Sequence, residues 1–411
     1  MTTHLTPAEV ETAKQAAVAA IDAAADSLIR LSKFIHSHPE IALEEYQSSG
    51  ACAEFLEERG FALERGVAGL PTAFSASVSV GDGAPHIAFL SEYDALPNLG
   101  HGCGHNLIAI AGIGAGIGAA AALRHLPEGR VSVFGTPAEE AVGGKIIMAN
   151  AGVFEGVDAA MGAHPGTSES VCPTVEGSGE ALACVAVIIA FHGQSAHAAA
   201  DPWNGRNALN AVIATFNGVD ALRQHIKSDA RLHGIIRHGG DAANVVPHFA
   251  EAEFFVRGGT VAYMNELVEK VRKIAEGAAL ITACDLEFNI PDEANFDMIS
   301  NRTIARVMDA HQRAIGLVLP EAKPAPASGS TDWGNVSYLF PSVETTYPIL
   351  DRVCTWHSQD VVEASDSALG YENTIKVAKS MALTAVDLLT DHELLRSATA
   401  EFQRERAARS N

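Results

Sequence analysis

The order of apolar runs between residues 183 and 290 constrains this chain more than any other feature. Residues 183–191 (ACVAVIIAF) read as a strand, 206–226 as a helix, 231–237 and 250–257 as two strands, 262–280 as a helix and 284–290 as a last strand. That β-α-β-β-α-β order, in one compact block, is the ferredoxin-like split order. Its flanks are polar and turn-rich, Glu176-Gly-Ser-Gly-Glu180 before it and Pro291-Asp-Glu-Ala-Asn295 after it. The block reads as a small domain at 179–293 inserted into a larger one made of 1–178 and 294–411. A chain of 411 residues has room for both.

The host domain reads as α/β. Thr6-Pro7-Ala8-Glu9 is a capping box with Pro at the first helical position, and the Ala-rich helix behind it ends near His38-Pro39. The runs 86–91 and 131–134 look like buried strands, and 106–125 between them like a helix thick with Gly and Ala. A β-α-β order predicts a mixed central sheet covered by helices, and a composition with only 6% aromatics and 36 glycines suits tight helix-on-sheet packing. Segment 320–330 is a Pro/Ala-rich loop, and a capped helix closes the chain.

Charge and composition exclude some partners. Against 50 acidic residues stand 28 basic ones, a net charge of −22, which repels a phosphate backbone; neither nucleic acid nor an anionic membrane is expected as a partner. An anionic ligand therefore needs a local positive charge or a metal. Six cysteines are too sparse for a disulfide scaffold, and the N-terminus lacks a basic region leading into an apolar one. The nearest approach to a membrane span, Leu107–Leu123, is interrupted by glycines. A cytoplasmic, reducing compartment is the expectation.

Four clusters carry residue types suited to chemistry. Asp94 lies in Ser91-Glu-Tyr-Asp94-Ala-Leu-Pro97, just past a strand end, where α/β proteins place their sites. Gly102-Cys103-Gly104-His105 sets a thiol and an imidazole two apart among glycines; both bind zinc-like ions, and glycine lets the backbone fold tightly round an ion. Glu139 and Glu140 follow the strand at 131–134, and as sequence neighbours they point different ways, so one can bind metal while the other faces a water. Gly162-Ala-His164-Pro165 and Thr355-Trp-His357-Ser358 each present a histidine in a short loop. Alone, each cluster is weak: a Cys-x-His pair is commonly packed core, an exposed Glu-Glu is commonly solvated, and most of the 17 histidines must be ordinary. Together they supply sulfur, nitrogen and oxygen donors beside strand ends and Gly turns.

Two features carry no site. The glycines of 112–118 (GIGAGIG) fall at every second residue, which is not the dinucleotide spacing G-x-G-x-x-G, and small residues there let the helix approach the sheet. Cys52, Cys172, Cys184, Cys284 and Cys354 are expected as buried small hydrophobes.

As a set, the motifs EYDALP, GHGCGHN, PAEE, AHP, SAHAAADPWNGRNAL, NVVP and TWHSQ are specific. From about residue 30 to 390 the chain resembles the metal-dependent aminoacylase and carboxypeptidase family of dimetal amidohydrolases. It is most similar to the cysteine-ligand branch with p-aminobenzoyl-glutamate hydrolase, auxin-conjugate hydrolases and β-alanyl-dipeptide hydrolases. The resemblance implies that Cys103 bridges two divalent ions, that His105, Glu140, His164 and His357 complete their shells, and that Glu139 is the general base. It makes Asp94 the carboxylate behind a ligand imidazole, fixing its tautomer. Other branches carry a metal-binding histidine two residues before that Asp; here Glu92 stands there, which fits the cysteine branch. His197 and Asn244 match positions that steady the oxyanion and Arg257 one that pairs with a substrate carboxylate, although a packed turn histidine and an ordinary strand-end arginine are the plain alternatives. Ser330, Thr331 and Asp332 lie in a loop that the family places near the substrate, with no role given.

The expected activity is metal-assisted hydrolysis of a small-molecule amide: an N-acyl amino acid, a dipeptide, or an aryl amide such as p-aminobenzoyl-glutamate. Zinc suits the thiolate, and mixed donor sets also take manganese or cobalt. A second reading keeps the site and removes an amino group from an aromatic amino acid-like compound. A third is a non-catalytic binding protein, against which Glu139 beside a full ligand set argues. An inserted ferredoxin-like domain exposes a sheet face and an edge strand, which two-fold pairing covers, so a homodimer through this domain is expected.

Overall fold

Thr6 caps the first helix, Pro7–Ser37, as predicted: its Oγ1 accepts from Glu9 N at 3.3 Å, and the Glu9 carboxylate accepts from Thr6 N at 2.7 Å. The computed structural model describes residues 5–168, 170–171, 181–317, 319 and 329–409. The polar flank at 176–180, Cys172 and residues 320–328 of the Pro/Ala-rich segment lie outside them. Described residues fall into two compact units: 5–171, 298–319 and 335–408 in the first, and 181–297, 329–334 and Arg409 in the second. Ten described strands form two sheets: β1 (Ala62–Arg65), β2 (Phe74–Val80), β3 (His86–Ser91), β4 (Gly129–Gly135), β5 (Ala159–Thr167), β6 (Ala183–His192), β7 (Arg231–His238), β8 (Phe249–Gly258), β9 (Asp285–Asn289) and β10 (Ser342–Leu350).

The first unit holds a mixed sheet in the order β1-β2-β4-β3-β5-β10. The β1/β2 and β2/β4 pairs are antiparallel, while β4, β3, β5 and β10 run parallel to one another. Its core helix, His105–Leu123, is buried nearly all round, packed on the sheet and against the helices Pro7–Ser37 and Ala368–Thr390. The alternating glycines explain the close fit. A Cβ on Gly116 would sit 2.2 Å from Val133 Cγ2 on the sheet side, and one on Gly118 would sit 2.6 Å from Ile21 Cδ1 on the helix side. By length and composition this helix passes as a membrane span, which corrects the expectation that glycines disqualify it; in the fold it is an interior helix.

The second unit has the order β7-β8-β6-β9 with every neighbouring pair antiparallel, the arrangement that the split β-α-β-β-α-β order produces. Its two long helices, Ala208–Leu222 and Val261–Thr282, bury Val212, Val219, Leu267 and Val271 in a core of their own with Val187, Ile189 and Phe254 of the sheet. Asn207 and Thr260 cap them, accepting from Asn210 N and Tyr263 N. Strand β7 is an edge, and Ile235 and Ile236 on it are 63% and 43% exposed.

Candidate metal centre

Parallel strands that share a direction bring their carboxyl ends to one side of a sheet, which is where open α/β sheets bind ligands. Glu92 and Asp94 follow β3, Glu139 and Glu140 occupy a turn after β4, and His357 lies in the loop after β10. His164 departs from its predicted loop and sits within β5. Proline follows it there because β3 pairs with β5 only as far as Met161, so the Pro165 stretch has β10 on one side alone and needs no second ladder donor. Cys103 and His105 open the core helix, whose cap residue Gly104 takes φ +80°; a Cβ there would also meet Pro165 Cγ at 2.7 Å.

These elements bring all five predicted metal donors together. Cys103 Sγ lies 3.5 Å from His164 Nε2, His105 Nε2 lies 3.8 Å from Glu140 Oε1, and His357 Nε2 lies 3.3 Å from the same oxygen. Ligand atoms of Cys103, His105 and His164, and those of Cys103, Glu140 and His357, lie within 4.8 Å of one another. Glu139 forms a third such group with His105 and Glu140, so proximity alone does not separate base from ligand. Asp94 Oδ1 accepts from His105 Nδ1 at 2.8 Å and its Oδ2 accepts from Glu140 N at 3.0 Å, so one buried carboxylate orients two donors. His164 Nδ1 donates to Pro165 O at 2.7 Å, which leaves its Nε2 lone pair facing Cys103.

The chemistry of this set fits a divalent cation. His105 Nε2 and Glu140 Oε1 are buried without a hydrogen-bond partner, a costly arrangement unless an ion takes up their lone pairs. Burial pushes the Cys103 thiol up to about 12, a protonated state that a coordinated cation reverses. Burial works against a charged His105 as well, but Asp94 and Cys103 outweigh it and hold the imidazole well above its usual range. Glu140 stays below the usual carboxylate range: burial opposes this, and His357 and His105 prevail.

Several residues at this corner gave no sequence signal as parts of a site. Lys145 Nζ, fully buried, pairs with Glu92 Oε1 at 2.7 Å. Trp356 Nε1 donates to Cys103 Sγ at 3.3 Å. Glu45, also buried, accepts from Leu43 N and Ala138 N, both at 3.0 Å, and Ala138 stands at φ +62° just before Glu139. No periodicity or spacing links residues so far apart in the chain. The five described cysteines are free; Cys52, Cys184 and Cys284 are buried as expected, while Cys354 is half-buried against the core because its loop lies at the surface.

The remaining candidates belong to the second unit. His197 is exposed, and its Nδ1 accepts from Ala199 N and Ala200 N, both at 3.2 Å, so in the neutral ring Nε2 carries the proton and is a donor. Asn244 O accepts from Ala198 N at 3.0 Å, and a His197–Val245 bridge joins the two loops. Arg257, on β8, donates through Nη1 to Ser330 Oγ at 2.7 Å, and Ser330 donates on to Leu182 O.

The M20 peptidase dimerisation domain matches residues 183–283. Over 410 residues the chain is 36% identical to the Xaa-Arg dipeptidase of Mus musculus, covering 96% of this chain and 93% of that one. It is 30% identical to one of the p-aminobenzoyl-glutamate hydrolase subunits of Escherichia coli K12, covering 93% of each. A dinuclear metal-binding peptidase of the M20 family from Bacillus subtilis superposes with a TM-score of 0.69 at 22% identity, covering 90% of this chain and 99% of that one.

Proposed function

Because this chain belongs to the M20 family of metal-dependent peptidases and amidohydrolases, we propose that it hydrolyses the amide bond of a small substrate whose leaving amine is an α-amino acid with a free carboxylate. Family membership makes it a hydrolytic enzyme acting on amide bonds and sets aside the non-catalytic reading. The substrate class rests on the relatives' names: one cleaves a dipeptide carrying arginine, the other p-aminobenzoyl-glutamate.

In this reading Cys103, His105, Glu140, His164 and His357 would hold two divalent ions, zinc or manganese. The observation that carries it is the convergence of buried donor atoms, His105 Nε2 and Glu140 Oε1, that no hydrogen bond satisfies. When bound, the ions supply Lewis acidity, lowering a water's pKa toward ~7 and polarising the amide carbonyl. Glu139 takes the proton of the attacking water and delivers it to the amine nitrogen as the C–N bond breaks. Asp94 keeps Nδ1 of His105 protonated and its Nε2 free to bind. His197, through Nε2–H, and Asn244 steady the negative charge that develops on the carbonyl oxygen, and Arg257, aimed by Ser330, pairs with the substrate carboxylate. Support for a homodimer comes from the matched dimerisation domain and the exposed β7 edge with Ile235 and Ile236. As in many members of the resembled family, His197 would then serve the partner's site. The free cysteines suit a cytoplasmic setting.

The test is release of free amine from a panel of dipeptides, N-acyl amino acids and p-aminobenzoyl-glutamate by chelator-treated protein, before and after adding back zinc, manganese or cobalt. Activity is expected only after metal return and only on substrates with a free carboxylate. Full turnover by protein shown to be metal-free sinks the mechanism.

A further inference from the structure

Glu92 is the first residue beyond β3, and its side chain is 3% exposed. One of its oxygens is accounted for: Oε1 lies 2.7 Å from the ammonium of Lys145, which has no exposed area. The other is not. Oε2 is buried with no hydrogen-bond partner and stands 3.4 Å from His105 Nε2, which is likewise buried and unpartnered. With Nδ1 of that imidazole donating to Asp94, its Nε2 presents a lone pair in the neutral ring, the form that binds a metal. A lone pair and a carboxylate oxygen thus face each other across 3.4 Å in a site from which water-sized solvent is largely shut out. Such a contact is repulsive unless a proton on Nε2 or a cation lies between the two atoms, and a bound metal ion displaces that proton. Two donors on one tetrahedral zinc, each ~2.0–2.2 Å from it, sit roughly 3.4 Å apart.

We propose that Glu92 is a sixth metal-binding residue, donating through Oε2, and that Lys145 is the positioning residue that holds Oε1 away from the ion. The proposal rests on the metal-centre reading above. Lys145 does two things here. It fixes Glu92 to one-oxygen binding, since the capped oxygen is engaged elsewhere. It also offsets the extra negative charge, so the centre gains a donor and loses none of its electrophilicity. A buried Lys–Glu pair is otherwise a poor source of stability, because taking both charges out of water costs about as much as their attraction returns.

Chelator-treated full-length protein titrated with Co(II) distinguishes the outcomes, read by affinity and by the visible cobalt spectrum rather than by turnover. Wild-type protein should show a thiolate-to-cobalt band; its complete absence overturns the metal centre, and this proposal with it. Glu92→Gln should weaken one of the bound ions by roughly 10–100-fold and change the cobalt ligand-field bands. Lys145→Met should retain both ions with a shifted spectrum, because Glu92 can then bind through both oxygens. The double variant Glu92→Gln/Lys145→Met removes both charges of this pair together, so it guards against misfolding of the single ones. If Glu92 binds metal, the double variant keeps the 10–100-fold loss. If Glu92 serves only to neutralise Lys145, the double variant regains wild-type affinity and spectrum, and the proposal falls. Wild-type behaviour of Glu92→Gln overturns it equally.

Discussion

In the first unit the inner part of the site is interior, with His105 and Lys145 showing no exposed area and Asp94 1%, while Glu139, Glu140 and His164 are half-buried and His357 is exposed at its rim. In the second, His197 and Asn244 are exposed and Arg257 is only half-buried. The buried set is held by its own members, carboxylate to imidazole and ammonium to carboxylate; burial raises the Cys103 thiol, and for His105 its anionic neighbours outweigh burial. The exposed set is held from behind by backbone, as when two amide N–H groups pin His197 Nδ1. On the proposed function, one region holds ions and moves protons, and the other meets something that arrives from outside.

The sharpest way to break this division lies at the adjacent carboxylates, which proximity does not tell apart. Glu139→Gln should keep metal and fold yet lose turnover by roughly 100-fold or more, whereas Glu140→Gln should lose metal. Elemental analysis beside kcat decides between them, and the reverse pattern swaps the two roles.

A second test asks whether the exposed region serves its own chain. Glu139→Gln and His197→Ala are each expected to be nearly inactive. If His197 acts across a two-fold homodimer, mixing them should revive about a quarter of all sites, since about half the dimers are mixed and one of two sites in each is whole. No recovery after demonstrated exchange of protomers assigns His197 to its own chain.

The smallest effect sharpens the picture of burial. Burial raises Glu45 to about 7, above the 4.5 of a free carboxyl, so the folded protein binds its proton more tightly than the unfolded chain does. Folding stability from this group is therefore complete at low pH and is lost as pH rises through about 7. Glu45→Gln keeps an acceptor for Leu43 N and Ala138 N without the charge, and should be more stable than wild type above that pH by about 3 kcal/mol, the difference vanishing near pH 4.5. Thermal melts of metal-free protein across pH check both sign and size.

What the sequence revealed follows the same line. The split order of the second unit was legible because each element carries its own period and its own cap, as Asn207 and Thr260 show. That Cys103, His105, Glu140, His164, His357, Asp94 and Glu139 gather at one corner was legible because they stand in short motifs beside strand ends. His164 was misread as a loop residue because Pro165 signals a break, and only the sheet register reveals that its ladder partner is missing on one side. The Glu92–Lys145 pair, the Trp356–Cys103 contact and the clasp of Glu45 on Ala138 were invisible, since each joins distant segments and none has a spacing rule.

The glycines of the core helix bear on how the centre is loaded. Where a helix meets its neighbours through bare Cα atoms, no side chain can change rotamer to absorb a shift, so His105 is delivered by a rod of fixed clearance. Its partners come from the ends of paired strands. A site whose geometry is set by packing does not have to fold around its ion, unlike a zinc finger. Metal exchange then becomes a matter of ion entry and ligand dissociation, with no refolding step in its kinetics, and removing the ions should cost activity long before it costs the fold.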